Sequence, residues 1–289
     1  MKKNLLLTAL TLAAVLLTGC SGLSPDPHAG MVEVSDGGGG TMWVDEIESL
    51  PKNELMAQDF STDARGFVSY TGEACTAVSG IDVSYYQGQI DWQAVAASGV
   101  RFAIIRAGYR GYTEGQLFTD EQFYANIEGA RENGLDVGVY FFSQALTAEE
   151  AQQEAEYVLD ILSGYELQLP VFFDWEPVDT EDSRTQTYET QTLTDCARAF
   201  CTAIEQGGYE AGVYFFRYLG YYSYDLEALS DWDFWAAALG QYPDFHYAHT
   251  FWQYSITGTV PGIEGSTDLN LWFRPAVELP QAEPPEQNS

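Results

Sequence analysis

Pro170-Val-Phe-Phe-Asp174-Trp175-Glu176-Pro177 reads as a buried strand that ends in two carboxylates two residues apart. Val171, Phe172 and Phe173 form a short apolar run of β-branched and aromatic residues, and Pro177 stops the ladder. Residues i and i+2 of a strand point to one side, so Asp174 and Glu176 share a face while Phe173 and Trp175 share the other. Two strand rises set the acid Cα atoms about 6.6 Å apart, close enough for both carboxyls to act on one bond. Two acids beside an apolar strand end are costly unless they do chemistry. The competing reading is a strand running into an acidic loop, and the rest of the chain must decide.

Around this stretch, strands and helices alternate. Residues 80–84 form a short apolar strand, and 91–98 a helix with Asp91 as N-cap and Gly99 as stop. Residues 102–107 are the next strand, and 119–133 an amphipathic helix closed by Gly134. Residues 137–142 are a strand, and Thr147 with Glu150 makes a capping box for a helix reaching 162. After the opening strand, a long helix covers 190–205, and 212–216 is a strand again. This alternation implies right-handed βαβ units and a parallel sheet.

Beyond Phe216 the helices shrink, and 234–239, 250–254 and 268–272 read as three strands joined mainly by loops. Five βα units and three bare strands make eight, the number that closes a barrel. The predicted fold class is α/β, a TIM-like (β/α)5(β)3 barrel forming a single catalytic domain. A doubly wound open sheet is the alternative, and the lack of a phosphate-binding glycine fingerprint favours the barrel. Catalytic groups of such a barrel gather at the C-terminal strand ends. Asp174 and Glu176 end strand four, Asp82 lies in strand one and Asp268 in strand eight, and strands one and eight are neighbours on closure. Four carboxylates around one mouth disfavour a chance strand end.

The chain has 289 residues, 46% hydrophobic and 15% aromatic, and a formal charge of −31. Nothing in it can neutralise phosphates, which excludes nucleic acid as a partner. Many Tyr and Trp beside only 12 Lys and Arg suit a neutral polar ligand such as a carbohydrate.

At the N-terminus, Lys2 and Lys3 precede an apolar run over 5–17, too short to span a bilayer and right for a signal peptide. Leu17-Thr18-Gly19-Cys20 resembles the lipobox of bacterial lipoproteins, in which the Cys carries the lipid. The organisation expected is a lipoprotein signal peptide over 1–19, lipidated Cys20 with an acidic Gly/Pro-containing tether over 20–74, the barrel over 75–277, and a disordered tail over 278–289. The protein is then exported and held by acyl chains on the outer face of the bacterial cell membrane. Cys75, Cys196 and Cys201 remain, and read as buried free thiols rather than a bridge.

Asp and Glu suit Ca²⁺ or Mg²⁺, whereas a hydrolytic zinc site wants His. His28, His246 and His249 fall outside any ligand-spaced motif, so no metal site is expected. There is no nucleophile elbow and no Cys at a strand end. Carboxyl acid/base chemistry on a glycosidic bond fits best: one carboxyl stays protonated as general acid, and another stays ionised to stabilise positive charge at the anomeric centre. The outer residue, Glu176, is read as the acid and Asp174 as its ionised partner.

Gly80-Ile-Asp-Val-Ser84, Gln87-Gly88-x-Ile90-Asp91-Trp92, Phe173-Asp174-Trp175-Glu176, Trp252-Gln253-Tyr254-Ser255 and Pro261-Gly262-Ile263 leading to Asp268-Leu-Asn270 occur in this order. Together they resemble the glycoside hydrolase family 25 lysozymes, from about residue 80 to 273. The resemblance implies the (β/α)5(β)3 barrel. It also implies cleavage of the β-1,4 bond from N-acetylmuramic acid to N-acetylglucosamine in peptidoglycan glycan strands, with no metal or organic cofactor. It makes Glu176 the general acid/base. Asp174 becomes the group that orients or stabilises the substrate acetamido group or oxocarbenium-like charge, and Asp82 and Asp268 help shape the site. Leu239 departs from the Tyr that many of that family carry there.

Tyr109, Tyr140, Tyr214 and Trp252 lie on or just after strands and are candidate sugar contacts, each with core packing as the alternative. Arg106 ends strand two near the mouth and reads as the ion-pair partner of one of the acids. The chain is expected to act as a monomer whose partners are glycan strands and, through Cys20, the bilayer. The competing functions are a non-catalytic peptidoglycan-binding lipoprotein and a glycosidase acting on another amino-sugar polymer.

Overall fold

The computed structural model describes residues 26–275. In chain order, β1 (Met31–Ser35) and β2 (Thr41–Asp45) form one antiparallel pair, and β3 (Phe60–Thr62) and β4 (Val68–Tyr70) another. There follow β5 (Cys75–Val83), α1 (Trp92–Ala97), β6 (Phe102–Arg110), β7 (Leu117–Thr119), α2 (Phe123–Glu132) and β8 (Asp136–Ser143). Next come α3 (Ala148–Ile161), β9 (Val171–Trp175), α4 (Thr190–Gln206), β10 (Ala211–Phe216) and α5 (Arg217–Tyr222). The chain finishes with β11 (Asp233–Ala237), β12 (Phe251–Gly258) and β13 (Thr267–Pro275). Because β5 pairs with both β6 and β13, eight strands close into an α/β barrel. β7 is a short antiparallel addition to β6.

The sheet is not wholly parallel, contrary to expectation. β13 runs antiparallel to both β12 and β5. A parallel return needs a long crossover, and the short link from Gly258 to Thr267 permits only a hairpin. This reversal matters for the site. Asp268 stands at the N-terminal end of its strand, which here lies at the mouth where the other strands end, in register with Asp82.

Strand alternation sorts the side chains into two cores. Phe102, Phe172, Trp235 and Phe251 fill the barrel interior, whereas Phe173 and Trp175 face the helices with Phe200 and Val158. The inner aromatics need room. A Cβ added at Gly80 would lie 2.3 Å from the Phe102 ring, and one at Gly212 would lie 2.5 Å from Phe172. Glycine on one strand accommodates phenylalanine on the next.

Residues 26–74, expected to be a tether, are folded against the barrel. Leu50, Phe67 and Val68 are buried in the outer core. Arg217 donates to Ser35 O (3.1 Å) and to both carboxylate oxygens of Asp244 (3.1 and 2.6 Å). Tyr247 Oη accepts from Ile47 N at 2.9 Å. The apolar residues of this stretch gain more by covering barrel surface than by staying in water. Residues 1–19, Cys20 and the tail over 278–289 lie outside the described residues. Cys196 and Cys201 are buried free thiols, and Cys75 is a free thiol that is only partly buried.

Candidate active site

The inward positions nearest the strand ends converge on one cavity of about 310 Å³. Asp82 comes from β5, Asp174 from β9 and Asp268 from β13, with Glu176 just past the end of β9. Tyr86, Tyr140, Phe142, Tyr214 and Trp235 form its aromatic lining, and Arg106 its single cation. The four predicted acids are therefore brought together.

One hydrogen-bond chain fixes the floor. Indole Nε1 of Trp235 can only donate, and it donates to Asn270 Oδ1 at 2.9 Å. The Asn270 amide must then turn its Nδ2 to Asp82 Oδ1, at 2.7 Å. On the other side, Tyr214 Oη donates to Gln253 Oε1 (3.1 Å). Gln253 Nε2 donates to Asp82 Oδ1 (2.9 Å) and Asp268 Oδ2 (3.2 Å). Asp82 thus receives two amide donors on one oxygen. Sequence reasoning had not given Gln253 or Asn270 a role. Period two could have found them, since Asn270 is two residues from Asp268, and Gln253 alternates with the outward Trp252 and Tyr254.

The acids do not share one protonation state. Burial pushes Asp82 up to about 6, against the pull of the Asn270 and Gln253 amides. Asp268 rises to about 8 through burial and then the adjacent Asp82 charge. Burial, followed by the charges of Glu176 and Asp82, drives Asp174 well above the carboxylate range, with Arg106 opposing. Glu176 is raised by burial, opposed by the nearby Tyr214 hydroxyl. Acids packed this closely cannot all ionise cheaply. In the free site Asp174, the more deeply buried of the pair, is therefore the harder of the two to ionise.

A second layer holds Glu176 in place. Gln144, fully buried, donates through Nε2 to Glu176 O (2.7 Å) and Ser143 O (2.8 Å), and its Oε1 accepts from Thr185 Oγ1 (2.8 Å). Trp175, on the opposite face of β9, donates to Ala145 O at 3.0 Å. Behind them lies the buried ion pair of Arg110 Nε with Glu154 Oε1 (2.6 Å).

The aromatic candidates divide. Tyr140 and Tyr214 line the cavity. Tyr109 is not part of the lining; its ring stacks on Phe118 (5.2 Å) and lies against Arg106. Trp252 is a correction: it faces outward, fully buried, with Nε1 donating to Ala238 O at 2.7 Å and its ring against Phe60 and Phe273. Trp252→Phe is accordingly expected to lower stability by about 2 kcal/mol, from the lost hydrogen bond and volume, with KM unchanged. Melting and steady-state kinetics on the same sample check both halves; a raised KM with an unaltered melting point would contradict this placement. Arg106 does form an ion pair, but with Asp120 (2.7 Å), which the sequence reading had put inside a helix. Asp120 instead lies between β7 and α2. Among the described residues no set of three or more Asp, Glu, His or Cys side chains is arranged to hold a metal ion.

Four carboxyls in unequal environments at the mouth of an α/β barrel define a class: a glycoside hydrolase working by carboxyl acid/base chemistry. The family follows. The chain belongs to the glycosyl hydrolases family 25, whose model matches residues 81–263. It is 30% identical over 195 residues to an autolytic lysozyme of Clostridium acetobutylicum, covering 67% of this chain and 55% of that protein. It is 27% identical over 227 residues to lysozyme M1 of Streptomyces globisporus, covering 71% and 70%. A solved bacterial lysozyme from Streptomyces coelicolor matches with a TM-score of 0.55 and 26% identity, over 67% of this chain and 90% of that one. The chain thus spans little more than half the length of the clostridial relative.

Proposed function

We propose that this chain hydrolyses the β-1,4 bond between N-acetylmuramic acid and N-acetylglucosamine in peptidoglycan. The observation that carries the reading is the pair on β9: Asp174 and Glu176 on one inward face, with Glu176 at the rim and its backbone carbonyl held by Gln144. Glu176, whose hold on its proton is strengthened by burial, donates to the leaving glycosidic oxygen and then, as carboxylate, takes a proton from the incoming water. Asp174 accepts from the substrate acetamido N–H. That bond and the positive charge growing at the anomeric carbon favour its ionised form as the reaction proceeds. Asp82, fixed by two amides, supplies standing negative charge beside them.

The relatives named as lysozymes support this substrate. The signal-like N-terminus and Cys20 support export and tethering by acyl chains at the outer face of the bacterial membrane. Digesting purified, peptide-stripped wall glycan and reading the products by mass spectrometry tests the reaction and the bond together. Fragments with N-acetylmuramic acid at the new reducing end are expected. Fragments ending in N-acetylglucosamine would refute the bond assignment, and no new reducing ends would leave a binding protein instead.

A further inference from the structure

We propose that the outer shoulder of the mouth, running from Tyr188 over Tyr222 to Tyr218, is a second carbohydrate-binding surface, which holds a stretch of uncharged glycan outside the catalytic cavity. The inference rests on the glycosidase reading for the kind of polymer, and goes beyond it by assigning a surface that touches none of the reacting atoms.

α5 begins directly where β10 ends, so it stands at the mouth end of the barrel, just beyond the cavity-lining Tyr214. Leu219 turns into the outer core. Tyr218 and Tyr222, one helical turn apart, turn outward and are 51% and 53% exposed. Their rings lie within 20° of parallel, with centroids 6.2 Å apart. Tyr188, 37% exposed, continues the row, because its hydroxyl meets Ser223 Oγ at 3.1 Å. Its ring stands edge-on to Trp175 beside a cavity of about 490 Å³, in which Leu146 and Leu193 are apolar and Thr187 and Thr192 bring hydroxyls. That cavity shares no residue with the catalytic one.

The row is braced from outside the barrel. Tyr218 Oη donates to Asp36 O (3.4 Å) and Tyr222 Oη to Met42 Sδ (3.5 Å), both on the β1–β2 hairpin. The buried Arg217 ties that hairpin to α5 by donating to Ser35 O. The brace is an addition to the barrel, since residues 31–45 precede the matched stretch 81–263 and form no barrel strand. Rings fixed before binding lose little freedom on it. A patch of exposed rings with hydroxyl edges suits the C–H faces and hydroxyls of sugars. Charge selects among partners. Arg184 and Arg217, the cations beside the row, are committed to Glu150 and Asp244 (2.5 and 2.6 Å), while Glu189 and Asp36 add negative charge. A polyanion, an anionic bilayer or a second copy of this chain, at −31, is repelled there, and a neutral glycan is not. Position agrees: a glycan strand leaving the cavity across the ends of β9 and β10 passes over this row.

The test removes both rings of α5 by Tyr218→Ala with Tyr222→Ala and reads binding apart from cleavage. Co-sedimentation with insoluble, peptide-stripped wall glycan is measured in a Glu176→Gln background, which is to hold glycan without cutting it. The double alanine variant should bind about tenfold or more weakly. Phenylalanine at both positions keeps the stacking faces and should restore most of the affinity. Tyr124→Ala, which removes an equally exposed ring on α2, should change nothing. With Glu176 intact, the double alanine variant should cut short soluble glycan fragments at the parent's kcat/KM. Unchanged sedimentation, an equal loss from Tyr124→Ala, or an equal loss on short fragments overturns the proposal. So does light scattering that finds dimers in the parent and monomers in the double variant, which would give the surface to a second copy. Sedimentation needs no turnover, so a parent that binds through this row yet cuts nothing refutes the glycosidase reading alone.

Discussion

Glu176→Gln is expected to slow cleavage of wall glycan by about 10²–10⁴-fold, the usual contribution of a positioned general acid. Glutamine keeps the volume, but it has no acidic proton to give the leaving oxygen. The backbone at this position is held from outside the side chain, by Gln144 Nε2 on the carbonyl oxygen, so the loop stays where it is. The cavity lining of Tyr140, Tyr214 and Asp174 also remains, and the loss should appear in kcat with KM little changed. Burial disfavours the ionised form of Glu176, so replacing it with a neutral group removes a strain on the fold. The melting temperature should hold or rise. Release of reducing ends, measured beside a melting curve, checks this. A rate close to that of the parent would mean that the proton comes from elsewhere and would remove Glu176 from its role.

Much of this was legible in the sequence because period two is a strong signal. An apolar strand with acids at i and i+2 sends both acids to one face whatever the rest of the fold does, and Phe172 and Asp174 do point inward while Phe173 and Trp175 point out. The same rule applied to Trp252-Gln253-Tyr254 would have sent Gln253 inward. The aromatic ring was preferred for its stacking surface, and the amide proved to be the residue in the cavity. Strand direction was not legible, since a strand reads alike in both senses and only the link from Gly258 to Thr267 makes β13 antiparallel. Residues 31–45 were misjudged for a compositional reason. The glycine run from Gly37 to Gly40 suggests a linker, yet it joins Val32-Glu33-Val34 to Met42-Trp43-Val44, an alternating pair that forms a hairpin. Asp120 was missed because the Arg106–Asp120 pairing is between strand and loop and leaves no spacing in the chain.

Lowering the pH from 8 to 5 is expected to stabilise the protein, by about 5 °C or more in melting temperature. Asp82, Glu154 and Asp268 are held at about 6, about 7 and about 8 in the folded state, above ordinary values of 3.8, 4.5 and 3.8, with burial the leading cause in each. A carboxyl raised on folding contributes stability that is fully present below its unfolded value. That contribution is lost as pH rises through the folded value, so all three weaken the fold between about pH 4 and 8. The surface acids Asp36, Asp63 and Glu46 are lowered, and Glu150 with them. Their contribution is lost only as pH falls below the ordinary carboxylate range, which places the stability maximum on the acid side of neutrality. Asp268→Asn isolates the cause. Asparagine keeps an oxygen for Gln253 Nε2 and offers an N–H to Asp82, while it removes the acid held at about 8. The variant should melt about 3 °C or more above the parent at pH 8, match it at pH 5, and lose most of its activity. A variant that melts lower than the parent at pH 8 would show that the Asp82–Asp268 pair supports the fold. The expected result would mean the opposite: under the proposed function, acids are kept together at the mouth at a cost in stability, because such chemistry needs acids that hold their protons near neutrality.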